Sequence, residues 1–347
     1  MNVVREIGRL LVTGGAGFIG SNFVHWMLER HDRLQVVVLD KLTYAGNMAN
    51  LADLEHDPRL EFVRGDIADP LVVDEVADRV DAIVNFAAES HVDRSIEAAG
   101  DFIQTDIVGT HVLLEAARRH GHPLFLQIST DEVYGHVEAG SSSESDPLAP
   151  RSPYAASKAG ADLLVLAHAT THGLPVVITR SSNNYGPNQY PEKVIPLFVT
   201  NAIDGEPLPL YGDGLQMRDW LFVTDNCEAI ELALLRGEAG TIYNIGSGQQ
   251  MTNVELTRAI LRETGQPESL VRLVADRAGH DRRYSVDASR IRELGWEPRH
   301  SFEDGLATTI SWYRDHEDWW RSLKSGEYLD YYRRQYGDRL ATSRALE

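Results

Sequence analysis

Short apolar runs, each giving way to small or polar residues, recur through the first half of the chain: Leu10 to Thr13, Gln35 to Leu39, Leu60 to Arg64, Ala82 to Phe86, Pro123 to Ile128 and Val176 to Thr179. Their length and composition predict buried strands. Between them stand stretches with a helical mixture of polar and apolar residues: Ser21 to about Glu29, about Gly100 to His120, and one opening at Pro153. A proline suits the first turn of a helix. Strands alternating with helices at this spacing predict an α/β fold, a doubly wound parallel sheet of Rossmann type, whose ligands bind beyond the carboxyl ends of the strands. Later the chain is less periodic, with turns at Gly205, Gly212, Gly214, Gly246 and Gly248. The expected division is a sheet domain over 1–180 and a smaller, less regular ligand-binding part over 181–347, some of whose segments return to the first.

What stands at the strand ends sharpens this. The first strand runs into Gly14-Gly15-Ala16-Gly17-Phe18-Ile19-Gly20 and then a helix. Glycines at 14, 17 and 20 let the backbone turn tightly and approach a pyrophosphate seated on the helix N-terminus. Gly15, Gly17 and Gly20 alone make only a weak motif, but the next strand ends in Asp40, twenty residues past Gly20. A carboxylate there accepts hydrogen bonds from an adenosine ribose and repels a 2′-phosphate, so the expected cofactor is NAD and not NADP. Asp66 follows the third strand as an adenine contact, with a plain loop carboxylate as the alternative, and Ala87 and Ala88 follow the fourth with little bulk.

The fifth strand ends in Thr130, Asp131 and Glu132, and two carboxylic side chains are an odd way to end a buried strand. Because residues in a strand point to alternate faces, both can aim at one ligand only if the chain has left the strand there. Downstream, Tyr154 and Lys158 lie one helical turn apart on one face. The lysine is expected to lower the pKa of the phenol, which could then take a proton from an alcohol. Alone, such a pair is commonly a surface contact. Beside a dinucleotide fold and an acidic pair, it is equipment for oxidising a carbinol.

Composition narrows the partners. Among 347 residues, 52 are acidic and 33 basic, a net charge of -19 that argues against nucleic acid or an anionic membrane as partner. An anionic small ligand needs local cations, and Lys193, Arg218, Arg277, Arg282 and Arg283 are the candidates, with scattered surface arginines as the plain alternative. The single cysteine, Cys227, permits no intramolecular disulfide, and no apolar run approaches bilayer length, so the cytoplasm is expected. The aromatic tail from Trp312, with Trp319, Trp320, Tyr328, Tyr331 and Tyr332, reads as a packed terminal helix and not as an aromatic binding site.

TGGAGFIG (Thr13 to Gly20), Asp40, the Tyr154 and Lys158 pair and RSSNNYGP (Arg180 to Pro187) together resemble the extended short-chain dehydrogenases/reductases that act on nucleotide sugars. DKLTYAGN (Asp40 to Asn47), AAESHVDRS (Ala87 to Ser95), STDEVYG (Ser129 to Gly135), PEKVIPLF (Pro191 to Phe198), RDWLFV (Arg218 to Val223) and RAGHDRRYSVD (Arg277 to Asp287) are similar to its 4,6-dehydratase branch. The Thr-Asp-Glu triplet discriminates, since epimerases of the family carry no acidic pair there. Ala278 stands where proline is usual.

The resemblance implies NAD held by Gly14, Gly17, Phe18, Ile19, Gly20, Asp40, Lys41, Leu42, Thr43, Asp66, Ile67, Ala87, Ala88, Glu89, Thr105, Tyr154 and Lys158. It implies Thr130, Tyr154 and Lys158 as the hydride-transfer triad, with Asp131 the acid and Glu132 the base of an elimination. A nucleotide-diphosphate hexose, dTDP-glucose in that branch, would be held by Ser90, Thr130, Asn183, Lys193, Tyr211, Arg218, Asn253, Arg277 and His280. No metal is implied. A homodimer through the helices following Gly100 and Pro153 is. The expected reaction oxidises C4, eliminates water across C5 and C6, and returns the hydride to C6. A 4-epimerase, a dehydratase acting on UDP-glucose and a non-catalytic NAD-binding regulator are the alternatives.

Overall fold

The computed structural model describes residues 4–121 and 124–346. Pro123, the expected start of the fifth strand, lies outside the described residues.

Six strands, β1 (Arg9–Thr13), β2 (Gln35–Asp40), β3 (Leu60–Arg64), β4 (Ala82–Asn85), β5 (Leu124–Thr130) and β6 (Val176–Ser181), join a seventh, Thr241–Ile245, in one parallel sheet. The spatial order is Thr241–Ile245, β6, β5, β4, β1, β2, β3. Strand order therefore reverses between β1 and β4, which opens the crevice where ligands of such sheets bind.

The apolar runs are continuous because both faces are covered. Leu10, Val12, Val36, Val38, Leu124 and Leu126 point to one face and pack against Phe23, Val24 and Met27. Leu11, Val37, Leu39, Phe125 and Ile178 point to the other, against Leu113, Leu114 and Val165. Each such side chain contributes about 1.5–3 kcal/mol by leaving water. Past β6 the chain builds two three-stranded sheets around a separate core containing Tyr185, Phe198, Trp220, Phe222, Tyr313 and Trp320. It also returns to the large sheet through Thr241–Ile245, and to its first core through Ile291 and Trp296.

Several boundaries move for physical reasons. The first helix is Phe18–Arg30, starting ahead of the expected Ser21 because Gly17 is already extended and Gly20 already helical. The segment after Thr43 forms a 3-10 helix, Met48–Leu54, capped by the Asn47 side chain. The expected long helix from Gly100 is broken: Ala99–Phe102 leads into a wide π-turn, Ile103–Gly109, and only then into Thr110–His120. Gly109 is needed where this stretch crosses the sheet edge, since a Cβ there would stand 2.5 Å from the Ile67 side chain. Wide turns of this kind tend to occur at functional sites, and this one carries Thr105 and the buried Asp106.

Candidate active site

A cavity of about 290 Å³ opens beyond the strand ends. Its wall includes Gly14, Gly17, Phe18, Ile19 and Gly20 from the glycine turn, Asp40, Lys41 and Thr43 after β2, and Asp66 and Ile67 after β3. Ala87, Ala88, Glu89, Thr105, Tyr154 and Lys158 complete it. Gly14 has a φ of +67°, and a Cβ there would stand 2.7 Å from the Ala87 nitrogen. A Cβ on Gly20 would collide with the Gly14 carbonyl. The turn is therefore bare backbone, packed too closely for side chains, at the N-terminus of a thirteen-residue helix with no acidic residue in its first turn. That is a cradle for a pyrophosphate.

Asp40 is buried, and its carboxylate accepts the Ala16 N–H at 2.9 Å and the Leu42 N–H at 2.8 Å. A phosphate placed against it would meet a fixed negative charge, so the residues fit NAD. Leu42 does not line the cavity, contrary to expectation: its backbone orients Asp40 while its side chain packs on the core.

The acidic triplet sits where the chain turns out of β5. Thr130 is still extended, and Asp131–Tyr134 forms a 3-10 turn whose first N–H groups include that of Glu132, donated to the Thr130 hydroxyl at 3.3 Å. This departure from the strand brings both carboxyl groups to one cavity wall. Asp131 is 3 % exposed, and burial together with the adjacent Glu132 pushes its pKa up to about 8. It is therefore a neutral acid near pH 7. The Thr130 hydroxyl reaches Asp131 Oδ1 at 3.2 Å and also hydrogen-bonds Tyr154.

Tyr154 and Lys158 come from the helix Pro153–His172, whose start is fixed by Pro153 and by the Ser152 hydroxyl accepting the Ala155 N–H at 3.1 Å. Lys158 donates to the Ile128 carbonyl at 2.6 Å, which ties this helix to the end of β5. The expected lowering of the Tyr154 pKa is overturned. Burial first, then the charges of Glu132 and Asp106, hold it well above the usual tyrosine range. Lys158 is spent on a carbonyl, and acids outnumber it around the phenol.

A second cavity, of about 160 Å³, adjoins the first and shares Glu132, Asn183, Asn184, Gln189, Glu192 and Lys193 with it. Arg218, Tyr211, Asn253, Arg277 and His280 line it as well. The Arg218 guanidinium is buried, donates to the carbonyls of Met217 and Asp281 at 2.7 and 3.0 Å, and has no ion-pair partner among the described residues. A desolvated cation without a counterion awaits an anion. Lys193 donates to the Ser90 carbonyl, so Ser90 reaches this region through its backbone. The amide oxygens of Asn183, Asn184 and Gln189 are buried without partners among the described residues, as expected of walls built for a polar ligand. Arg277 pairs with Asp93 at 3.0 Å, and burial, reinforced by Arg277, holds His280 neutral with a pKa of about 4.

Arg282 and Arg283 line neither cavity. The first forks onto Asp213 at the surface, at 2.7 and 2.8 Å, and the second bonds Gln250. Asp93, Glu192 and Tyr336 line the second cavity without having been expected there. The aromatic tail is helical and packed, but Tyr336 also faces the cavity, and Gln335 donates to Asp93 and to the Tyr211 hydroxyl. Only the crowding of tyrosines near the end of the chain could have signalled this.

The family model for GDP-mannose 4,6 dehydratase matches residues 11–309. The chain belongs to the extended short-chain dehydrogenase/reductase family that acts on nucleotide sugars. Within it, the chain is 54% identical over 318 residues to the dTDP-glucose 4,6-dehydratase of an Actinoplanes species, covering 90% of this chain and 99% of that one. It is 56% identical to that of Streptomyces niveus, covering 91% and 96%. The structure of the dTDP-glucose 4,6-dehydratase from Streptomyces venezuelae, solved with NAD bound, superposes with a TM-score of 0.89 at 56% identity, covering 91% of this chain and 100% of that one. The UDP-glucose 4-epimerase of Thermus thermophilus shares the fold with a TM-score of 0.83 at 32% identity, covering 89% and 99%.

Proposed function

We propose that the protein is an NAD-dependent hydro-lyase that converts dTDP-glucose to dTDP-4-keto-6-deoxyglucose, for deoxysugar biosynthesis. The observation that carries this reading is the neutral, buried Asp131 beside Glu132, at the junction of a dinucleotide cavity and a cationic one. A 4-epimerase would have no task for that pair. The similarity to dehydratases at 54% and 56% identity, against 32% for an epimerase, supports the same choice.

The substrate diphosphate is assigned to Arg218 and Asn183, and its nucleoside to Lys193, Tyr211, Asn253, Arg277 and His280. NAD, held by the glycine turn, Asp40, Tyr154 and Lys158, would supply the hydride acceptor for oxidation at C4 and the hydride donor for C6. Tyr154 removes the C4 hydroxyl proton, with Thr130 orienting the phenol and Lys158 fixing the helix against β5. The C4 ketone acidifies C5–H, and Glu132 takes that proton. Asp131 gives its own proton to the C6 hydroxyl, which leaves as water. The two carboxyl groups thus divide base from acid, with Asp131 held protonated by burial and by its neighbour.

We further assign residues 1–180 to the cofactor and catalytic domain and 181–347 mainly to nucleotide-sugar binding. The pairing of two copies as a homodimer through the helices after Gly100 and Pro153 is supported by Ile103 and Leu163, which are 52% and 58% exposed on those helices. A cytoplasmic location fits the single buried cysteine and the lack, among the described residues, of a helix long and apolar enough to cross a membrane.

Incubating the protein with dTDP-glucose and with UDP-glucose separately tests the reading. A 4-keto-6-deoxy product from the first is expected, and a C4 epimer in its place would refute the dehydratase assignment. Arg218→Ala should weaken nucleotide-sugar binding by about ten- to a hundredfold, the worth of about 1.5–3 kcal/mol for a charge-assisted contact. NAD affinity should stay put, and calorimetric titration with each ligand separates the two. Because Asp131 acts while protonated, turnover should decline about tenfold per pH unit once pH rises through about 8. A kcat that stays flat to about pH 10 would remove Asp131 as the acid.

A further inference from the structure

We propose that His111, Glu115 and His168 form a binding site for a divalent transition metal ion such as zinc, which staples the helices Thr110–His120 and Pro153–His172. The imidazole nitrogens and carboxylate oxygen that these three residues offer lie within 4.8 Å of one another. His111 and Glu115 are one turn apart on one helix, and His168 faces them from the other. His172 adds a further imidazole one turn beyond His168, with ring centroids 5.3 Å apart. Two or three imidazoles and one carboxylate suit zinc and its neighbours, whereas magnesium and calcium prefer oxygen alone.

The hydrogen bonds around the three side chains point the same way. His168 is buried and its Nδ1–H donates to the Leu164 carbonyl at 3.0 Å, so its free Nε2 is aimed at Glu115 Oε1, 3.1 Å away. Nε2 and Oε1 are thus already placed side by side, where one cation could bind both. Donation of the remote ring N–H to a carbonyl is also what orients metal-bound histidines. Arg118 occupies Glu115 Oε2 at 2.8 Å and leaves Oε1 for the metal.

Tetrahedral ligands with bonds near 2.0 Å stand about 3.3 Å apart. The site must therefore tighten, by a movement of the His111 side chain toward His168 and Glu115. His168 is fourteen residues from Tyr154 along one helix, about 21 Å at 1.5 Å per residue. The metal would accordingly brace the far end of the catalytic helix and take no part in the chemistry.

The test uses full-length protein stripped with a chelator, equilibrium dialysis against zinc, and the visible spectrum with cobalt as the probe. One ion per chain is expected. His111→Ala and His168→Ala should each reduce zinc affinity at least about tenfold, while His25→Ala, which touches Asp53 elsewhere, should not. Circular dichroism checks that each variant folds, and gel filtration that it keeps the oligomeric state of the wild type, since both helices lie in the proposed dimer contact. No saturable binding by the wild type, or affinity unchanged in His111→Ala, would overturn the proposal.

Discussion

The Tyr154→Phe protein is expected to convert dTDP-glucose about 100- to 10,000-fold more slowly than the wild type, the usual worth of a positioned acid–base group. The exchange removes one oxygen and leaves the helix anchor intact, because Lys158 still reaches the Ile128 carbonyl and Ser152 still caps the helix. Nucleotide-sugar affinity should hold, since Arg218 and Asn183 lie in the neighbouring cavity wall. The phenol is held protonated in the protein alone, by burial and by Glu132 and Asp106. Its deprotonation must therefore be coupled to binding and to alcohol oxidation. Quenched single turnovers check this: neither the 4-keto hexose nor the 4-keto-6-deoxy product should appear at an appreciable rate. Conversion within about threefold of wild type would mean that another group takes the C4 proton.

How much of this the sequence could tell depended on whether a residue acts through its own chemistry or through its neighbours. The glycine turn, Asp40 and the existence of β1 to β6 were legible because backbone clearance and buried apolar runs are local properties, although β5 and β6 each run two residues past the expected Ile128 and Thr179. The exit of Asp131 and Glu132 from the strand was legible only as a condition, since side-chain alternation requires it if both are to face one ligand. The wide turn at Ile103–Gly109 was not, since its cause is the approach of Gly109 to Ile67 from a distant strand end. The protonation of Tyr154 was misjudged for a related reason. Spacing revealed one lysine but could not count the carboxyl groups that the fold gathers around the phenol. Arg218 and Arg282 look alike in a sequence, and only burial separates an unpaired guanidinium facing a cavity from a surface fork on Asp213. Leu42 and Ser90 fall between, because each contributes backbone where side chains were expected to matter.

Glu132→Gln should separate oxidation from elimination, because the amide keeps the shape of the side chain and removes its basicity. Oxidation at C4 needs Tyr154 and can proceed, so a 4-keto hexose with its C6 hydroxyl retained should accumulate on the protein, detectable by mass after quenching. In heavy water the wild type should place solvent deuterium at C5 of the product, and deuterium carried at C4 of the substrate should reappear at C6. The variant should show almost no exchange at C5, and product formation should fall by about 100- to 10,000-fold. The substitution reaches Asp131 as well. The charge of Glu132 is, after burial, the largest cause of the raised Asp131 pKa, so its removal lowers that pKa. Asp131 is then protonated over a narrower range, and the alkaline decline of any residual elimination should begin below the wild-type value of about 8. A Glu132→Gln protein that formed product at the wild-type rate would send the search for the C5 base elsewhere. It would also leave the acidic pair without the role that distinguishes this site from that of an epimerase.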